Sequence, residues 1–527
     1  MHAKPVTGTK TMVVSPHHLA TAAGARILQK GGNAFDAAVA VSACLAVVYP
    51  HMTGLGGDAF WLTYERGERA VRVYNASGRS GRLATRDRFA DEAEIPRRGI
   101  RSALTVPGMA DGWSAVLSEY GRLTLADVLE PAIGYALEGC PVSRDLHETT
   151  AARADTLRRE PITAGIYLPG GRVPAIGSRL VQRELGETLR ALAAGGRDVF
   201  YRGDVARRIA AYAAQHGGLL ALEDFENYRG QWTAPIIGSY RGHELYQAPP
   251  NSQGFTGILT AHILENFDLK AAGHGTFEYY HLIVEAIKRS FADRDRYLTD
   301  PDFADIPLDR LLSKEYAAEL AGGIDRKRAL PARTEPVGSD TAYAAVVDGE
   351  GNAVSFIQSL YFEYGSAATA GDTGILLQNR GSFFSLDPNH PNRLEPDKRT
   401  FHTLMPAMAF RDGEPFLLYG TQGGEGQPQT QTALLTRMVD FGMDPQSAVS
   451  EPRWVWGRTW GEPTQELKLE SRISAEAVKR LEEAGHAVRL AGEYDGIVGH
   501  AHAIRIDGNG FRSGGTDPRC DGAAIGW

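Results

Sequence analysis

The sequence predicts an α+β chain in which buried strands and buried helices alternate along most of its length. Three observations carry this expectation. Ala342 to Val347 is a run of small, apolar and β-branched residues, and Ala353 to Leu360 returns after Asp348-Gly349-Glu350-Gly351-Asn352, a stretch with turn chemistry. Ala34 to Val48 is apolar nearly all round, as a helix enclosed on every side must be. Helical patterns punctuated by Pro and Gly dominate from about Thr124 to Tyr228 and return over Tyr279 to Tyr297.

Taken in order, Ser15-Pro16 predicts an N-cap and first turn for a helix that runs to Lys30 and stops at Gly31-Gly32. Asn33 caps the buried helix that follows. His51 to Trp61 is a Gly-rich loop entering a strand, without the Lys of a P-loop. Val71 to Tyr74 is a strand, and Val106-Pro107-Gly108 precedes a helix over Ala110 to Tyr120. Pro249 to Gly254 is a stiff turn before another helix. Residues 322–339 are polar, carry Pro331 and Pro336, and predict an exposed linker. Leu417 to Thr421 reads as a strand, Gln422-Gly423-Gly424 as a turn, and about Gln427 to Phe441 as a helix.

Composition narrows the function classes. Hydrophobic residues make up 43% and charged residues 23% of 527, a globular balance, and the net charge of −8 leaves no basic excess for nucleic acid or an anionic membrane. No apolar run is long enough to span a bilayer. Three widely spaced cysteines, with no CxxC, argue against a disulfide framework and for a reducing compartment. The first eight residues hold no apolar signal region, so a cytoplasmic location is expected. His500-Ala501-His502 sets two imidazoles on one strand face, but no third ligand is spaced to help, and neither a metal nor a cofactor is expected. Trp454, Trp456 and Trp460 read as core or cleft wall. His17-His18 reads as a solvated helix start.

The chemistry concentrates at Thr341, where the linker meets the strand. A Thr at a strand start is ordinary. If the bond before it is cut, however, the residue carries both a nucleophilic hydroxyl and an α-amine able to act as base. The ordinary pKa of that amine is about 7.7–8.0. The stretch Asp340-Thr341-x-Tyr343, continuing through Val346-Val347-Asp348 to Gly351-Asn352-Ala353-Val354-Ser355, resembles the processing site of the gamma-glutamyltranspeptidase family of N-terminal nucleophile hydrolases. The likeness extends along nearly the whole chain and includes Ala292-Asp293-Arg294-Asp295-Arg296-Tyr297, for which a structural role is expected.

The resemblance implies a four-layer αββα sandwich and self-cleavage between Asp340 and Thr341. The pieces 1–340 and 341–527 would stay together as a heterodimer in one intertwined fold. It also implies that Gly423 and Gly424 supply the oxyanion hole and that Ser359, where the family usually has Thr, touches the nucleophile. Departures from the family pattern set the expected substrate. Tyr361 stands where γ-glutamyl enzymes carry Asn. Arg380 and Phe383 stand where they present Gln and an acid to the α-amine. His402-Thr403 replaces a Ser-Ser pair that holds the α-carboxylate. Asn75 follows Tyr74 where an Arg belongs, with Arg79 nearby as the substitute. Losing the acid and gaining Arg suits an anionic amide without a free amine, such as oxamate, because guanidinium grips carboxylate bidentately. The expected activity is therefore an oxamate amidohydrolase-like reaction on a small-molecule amide. The alternatives are a γ-glutamyltransferase or glutathione hydrolase, an acylase of the cephalosporin type, and a catalytically inactive binding homologue.

Overall fold

The computed structural model describes residues 4–331, 341–457 and 464–527. Two seven-stranded antiparallel sheets lie face to face between layers of helix, the αββα sandwich expected. One sheet runs in the order Ala523–Ile525, Met12–Ser15, Ala342–Val347, Ala353–Ser359, Asp58–Glu65, Ala70–Ala76, Gln231–Thr233. The other runs Val6–Gly8, Arg512–Thr516, Ala501–Ile506, Glu414–Thr421, Ala407–Arg411, His243–Gln247, Ile236–Tyr240. Strands from before and after the linker are neighbours in both sheets. Ala342–Val347 itself is flanked by Met12–Ser15 on one edge and by its hairpin partner on the other.

Strand periodicity explains why Ala342–Val347 has no polar alternation. Tyr343, Ala345 and Val347 point into the inter-sheet core with Met12, Ile357, Met408 and Leu418. Ala342, Ala344 and Val346 point the other way, into the core shared with the helix Ala34–Val48. Both faces are covered, so both must be apolar. All fifteen residues of that helix are buried, and its start is the expected Asn33, with Asp36 completing a capping box. On the far side, Gly254–Leu264, Phe277–Tyr297 and Gly426–Val439 cover the second sheet.

The first helix departs from expectation. It spans His18–Gln29, and its N-cap is His17, whose ring accepts the Leu19 N–H, rather than Ser15. The Ser15 hydroxyl instead bonds the His17 carbonyl and Thr21. His17 is fully buried, not solvated. Cys44, Trp454 and Trp456 are core. Trp460 and the linker residues 332–340 lie outside the described residues. Among the described residues no helix is long and apolar enough to cross a membrane.

Candidate active site

Thr341 is fully buried at the N-terminal end of its strand. The register Ala342↔Gln358 puts it across from Ser359, the last residue of the neighbouring strand. Gln427, in the first turn of the helix Gly426–Val439, donates from Nε2 to the Thr341 hydroxyl at 3.5 Å, and its Oε1 accepts the Met405 N–H at 3.3 Å. The strand end and the helix start are thus joined at the Thr341 hydroxyl.

The turn between Glu414–Thr421 and that helix holds Gly423 and Gly424. Their φ values of 122° and 46° lie where side chains are disfavoured, which is why two glycines stand here. The Gly423 and Gly424 carbonyls accept the N–H groups of Gly426 and Gln427 at 2.7 and 3.1 Å. Among the described residues their own N–H groups donate to no protein acceptor. Two free N–H groups at a helix N-terminus favour negative charge, and this is the arrangement an oxyanion hole requires.

Two residues given no catalytic part in the sequence reading hold that turn. Gln253, from the turn after Pro249-Pro250, donates from Nε2 to the carbonyls of Gly424 (3.0 Å) and Thr403 (2.8 Å). Its Oε1 accepts from Arg294 Nη1 at 3.3 Å. Arg294 is fully buried and paired with Asp295 (2.7 Å) and Glu425 (3.5 Å). The Ala-Asp-Arg pattern was the available signal. Its helix end plays a structural part, ion-paired and buried against the glycine turn.

Arg380 is the other centre of the site. It is fully buried, and no carboxylate of the described residues lies within ion-pair distance. Its Nη1 donates to Thr403 Oγ1 and its Nη2 to Ser359 Oγ, both at 3.4 Å, while Nε has no partner. The guanidinium lies 4.2 Å from the centre of the Tyr361 ring. Burial lowers its pKa to about 10, so it stays cationic at neutral pH. Tyr361 has a φ of 87°, a strain on the order of 1–3 kcal/mol for a non-glycine residue, and donates its N–H to Ser359 Oγ at 2.7 Å. Ser359, Arg380, Tyr361 and Thr403 therefore form one connected group, with Thr341 across the strand pair from Ser359.

His402 adjoins that group through its chain neighbour Thr403. Its Nε2 donates to Asp58 Oδ2 at 3.1 Å, and Asp58 Oδ1 accepts from Gln378 Nε2 (2.9 Å) and the Gly78 N–H (3.1 Å). Asp58, from the Gly-rich loop, is thereby consumed by neighbours. Arg79 does not join Arg380. Its Nη groups are taken by Asp300 (3.1 Å), Asp302 (2.5 Å) and the Asp397 carbonyl (2.8 Å). Asn75, one residue beyond the aromatic, bonds Asn251 and Ser77. Asp340 lies outside the described residues. One His/Glu group, His281, Glu285 and His486, has metal-like spacing, but Lys288, Arg289 and the Leu330 N–H occupy the Glu285 carboxylate, and the group is no part of this site.

The buried imidazole has a pH consequence. Burial first, and Arg380 second, lower His402 from 6.5 to about 4, against the pull of Asp58. The unfolded chain takes up a proton near pH 6.5 that the folded chain refuses until about pH 4. Stability is therefore level above that window and falls as pH drops through it. His402→Gln should lessen the fall in melting temperature across the window. An unchanged slope would assign the acid sensitivity to His17, His486 and His502, which burial lowers to about 3.

Residues 20–527 match the sequence profile of the family described as Gamma-glutamyltranspeptidase. The chain is 62% identical over 523 residues to the Glutathione hydrolase-like YwrD proenzyme of Bacillus subtilis (strain 168), covering 99% of each. It is 42% identical over 532 residues to the Oxamate amidohydrolase proenzyme of Klebsiella pneumoniae, covering 100% of each. Among solved structures, a cephalosporin acylase from Bacillus halodurans matches with a TM-score of 0.94 at 36% identity, over 100% of this chain and 97% of that one. The strand that begins just after Thr341, the glycine turn near it and these full-length likenesses lead to one conclusion: the chain belongs to the gamma-glutamyltranspeptidase family.

Proposed function

We propose that this chain is a self-processing amidohydrolase with Thr341 as its N-terminal nucleophile, acting on a small amide that bears a carboxylate, of which oxamate is the simplest case. Cleavage before Thr341 frees its α-amine, and the pieces 1–340 and 341–527 remain one fold. Thr341 Oγ1 attacks the amide carbonyl while the α-amine takes the hydroxyl proton. The Gly423 and Gly424 N–H groups receive the developing oxyanion. The C–N bond breaks, the amine leaves with that proton, and water hydrolyses the acyl ester to restore Thr341.

The observation that carries the substrate reading is Arg380. A buried cation beside Ser359 with no carboxylate partner is costly unless an anion completes it. The same surroundings penalise an ammonium, because Asp58 is already engaged by His402, Gln378 and Gly78. The relative named for oxamate supports this reading. The relative named glutathione hydrolase-like, at higher identity, supports a γ-glutamyl hydrolase as the second reading.

The discriminating experiment compares kcat/KM for oxamate and γ-glutamyl-p-nitroanilide on processed enzyme, with and without Arg380→Ala. Oxamate should be the better substrate, and Arg380→Ala should lower its kcat/KM by the equivalent of about 2–5 kcal/mol. Efficient γ-glutamyl turnover with none on oxamate would replace this reading with the second.

A further inference from the structure

A cavity of about 300 Å³ lies against the site and is larger than a two-carbon acid amide needs. One wall is a continuous run of aromatic rings: Phe362 lies 4.6 Å from Tyr361, Tyr361 5.2 Å from Phe383, and Phe383 4.7 Å from Phe401, centre to centre. Thr341 does not line this cavity, but three of its lining residues are bonded or adjacent to the reacting groups. Tyr361 carries Arg380 on its ring and bonds Ser359. Arg294 pairs with Glu425 at the oxyanion turn. Phe401 directly precedes His402-Thr403. The cavity therefore shares Tyr361 with the Arg380 and Ser359 group and Arg294 with the glycine turn.

We propose that this cavity is a second subsite, which takes an aromatic or bulky apolar group carried on the amide nitrogen of the substrate. The inference rests on the reading that Arg380 holds the substrate carboxylate. In an oxamate the acyl half is then used up: its carbonyl sits at the oxyanion turn and its carboxylate on Arg380. The nitrogen is the one remaining position that can bear a substituent, and the cavity lined by Tyr361, Phe362, Phe383 and Phe401 is the space offered to it. Rings of this kind hold another ring in offset or edge-on contact and bury its apolar area. The substrate class is thus an N-aryl or N-alkyl oxamate rather than oxamate itself. Hydrolysis of the aryl case forms the Thr341 Oγ–acyl bond as the C–N bond breaks. The arylamine leaves with the proton held by the Thr341 amine. Water then supplies hydroxyl to the acyl carbon, and oxalate departs.

The test uses N-phenyloxamate as probe, with oxamate as reference, on the wild-type protein, Phe383→Ala and the milder Phe383→Leu. Calorimetric affinity and kcat/KM are measured together, with melting temperature as the check on folding. N-phenyloxamate should bind about 10- to 100-fold tighter than oxamate, the range for burying one ring, and Phe383→Ala should collapse that ratio, with Phe383→Leu between. Equal affinities, binding of neither compound, or a ratio indifferent to both Phe383 variants would overturn the subsite. Tight, Phe383-dependent binding without hydrolysis would instead support the subsite and count against the Thr341 reaction, so the two ideas fail separately.

Discussion

Thr341→Ala should leave a single chain of 57.1 kDa with no measurable turnover. The residue is asked to do two things that no neighbour can take over. In the proposed reaction its hydroxyl opens the bond before it, and once that bond is open its α-amine becomes the base for every later turnover. Losing the nucleophile of a hydrolase costs on the order of 10⁶-fold in kcat. Here the loss is compounded, because the base is never released. The fold should survive. The side chain is buried but its one described hydrogen bond, from Gln427, is long, so the stability cost is about 1 kcal/mol. Thr341→Ser keeps a hydroxyl and an amine and should still split, more slowly. Thr341→Ala protein that still separates into two chains would move the nucleophile elsewhere.

Gly424→Val should lower kcat by about 10²–10³-fold while moving the melting temperature by only a few degrees. Two effects need separating. A β-branched residue at φ 46° is strained wherever it occurs, by roughly 1–3 kcal/mol. At Gly424 the added side chain also sits on the turn whose N–H groups are proposed to receive the oxyanion. Gly442→Val supplies the control: its φ of 66° imposes a comparable strain, and nothing lies within 4 Å of the added Cβ. If the turn is an oxyanion hole, only Gly424→Val loses turnover out of proportion to stability. Matching losses in both variants would make the glycine pair a plain turn.

The parts legible in the sequence were those written in local pattern. The strand Ala342–Val347, the enclosed helix Ala34–Val48 and its Asn33 cap depend on residues within a few positions of one another. The glycine turn before Gly426–Val439 was legible for the same reason. Arg380 could be singled out because a family pattern placed a different residue there, and it is indeed buried next to Ser359 and Thr403. What the sequence hid was pairing over long separations. Arg79 looked free until Asp300 and Asp302, more than two hundred residues away, claimed it. Arg294 and Gln253 gained their place at the oxyanion turn from contacts to Glu425 and Gly424 that no periodicity encodes. His17 sits next to His18 in a stretch that reads as polar, and only the three-dimensional packing reveals that its ring caps the helix from a buried position.

The central claim is that cleavage before Thr341 creates the nucleophile, and the most direct measurement is the intact mass and N-terminal sequence of the wild-type protein after purification. The account predicts two chains that copurify, the smaller beginning Thr341-Ala342-Tyr343. A single chain of 57.1 kDa that persists on long incubation yet hydrolyses amides would contradict it.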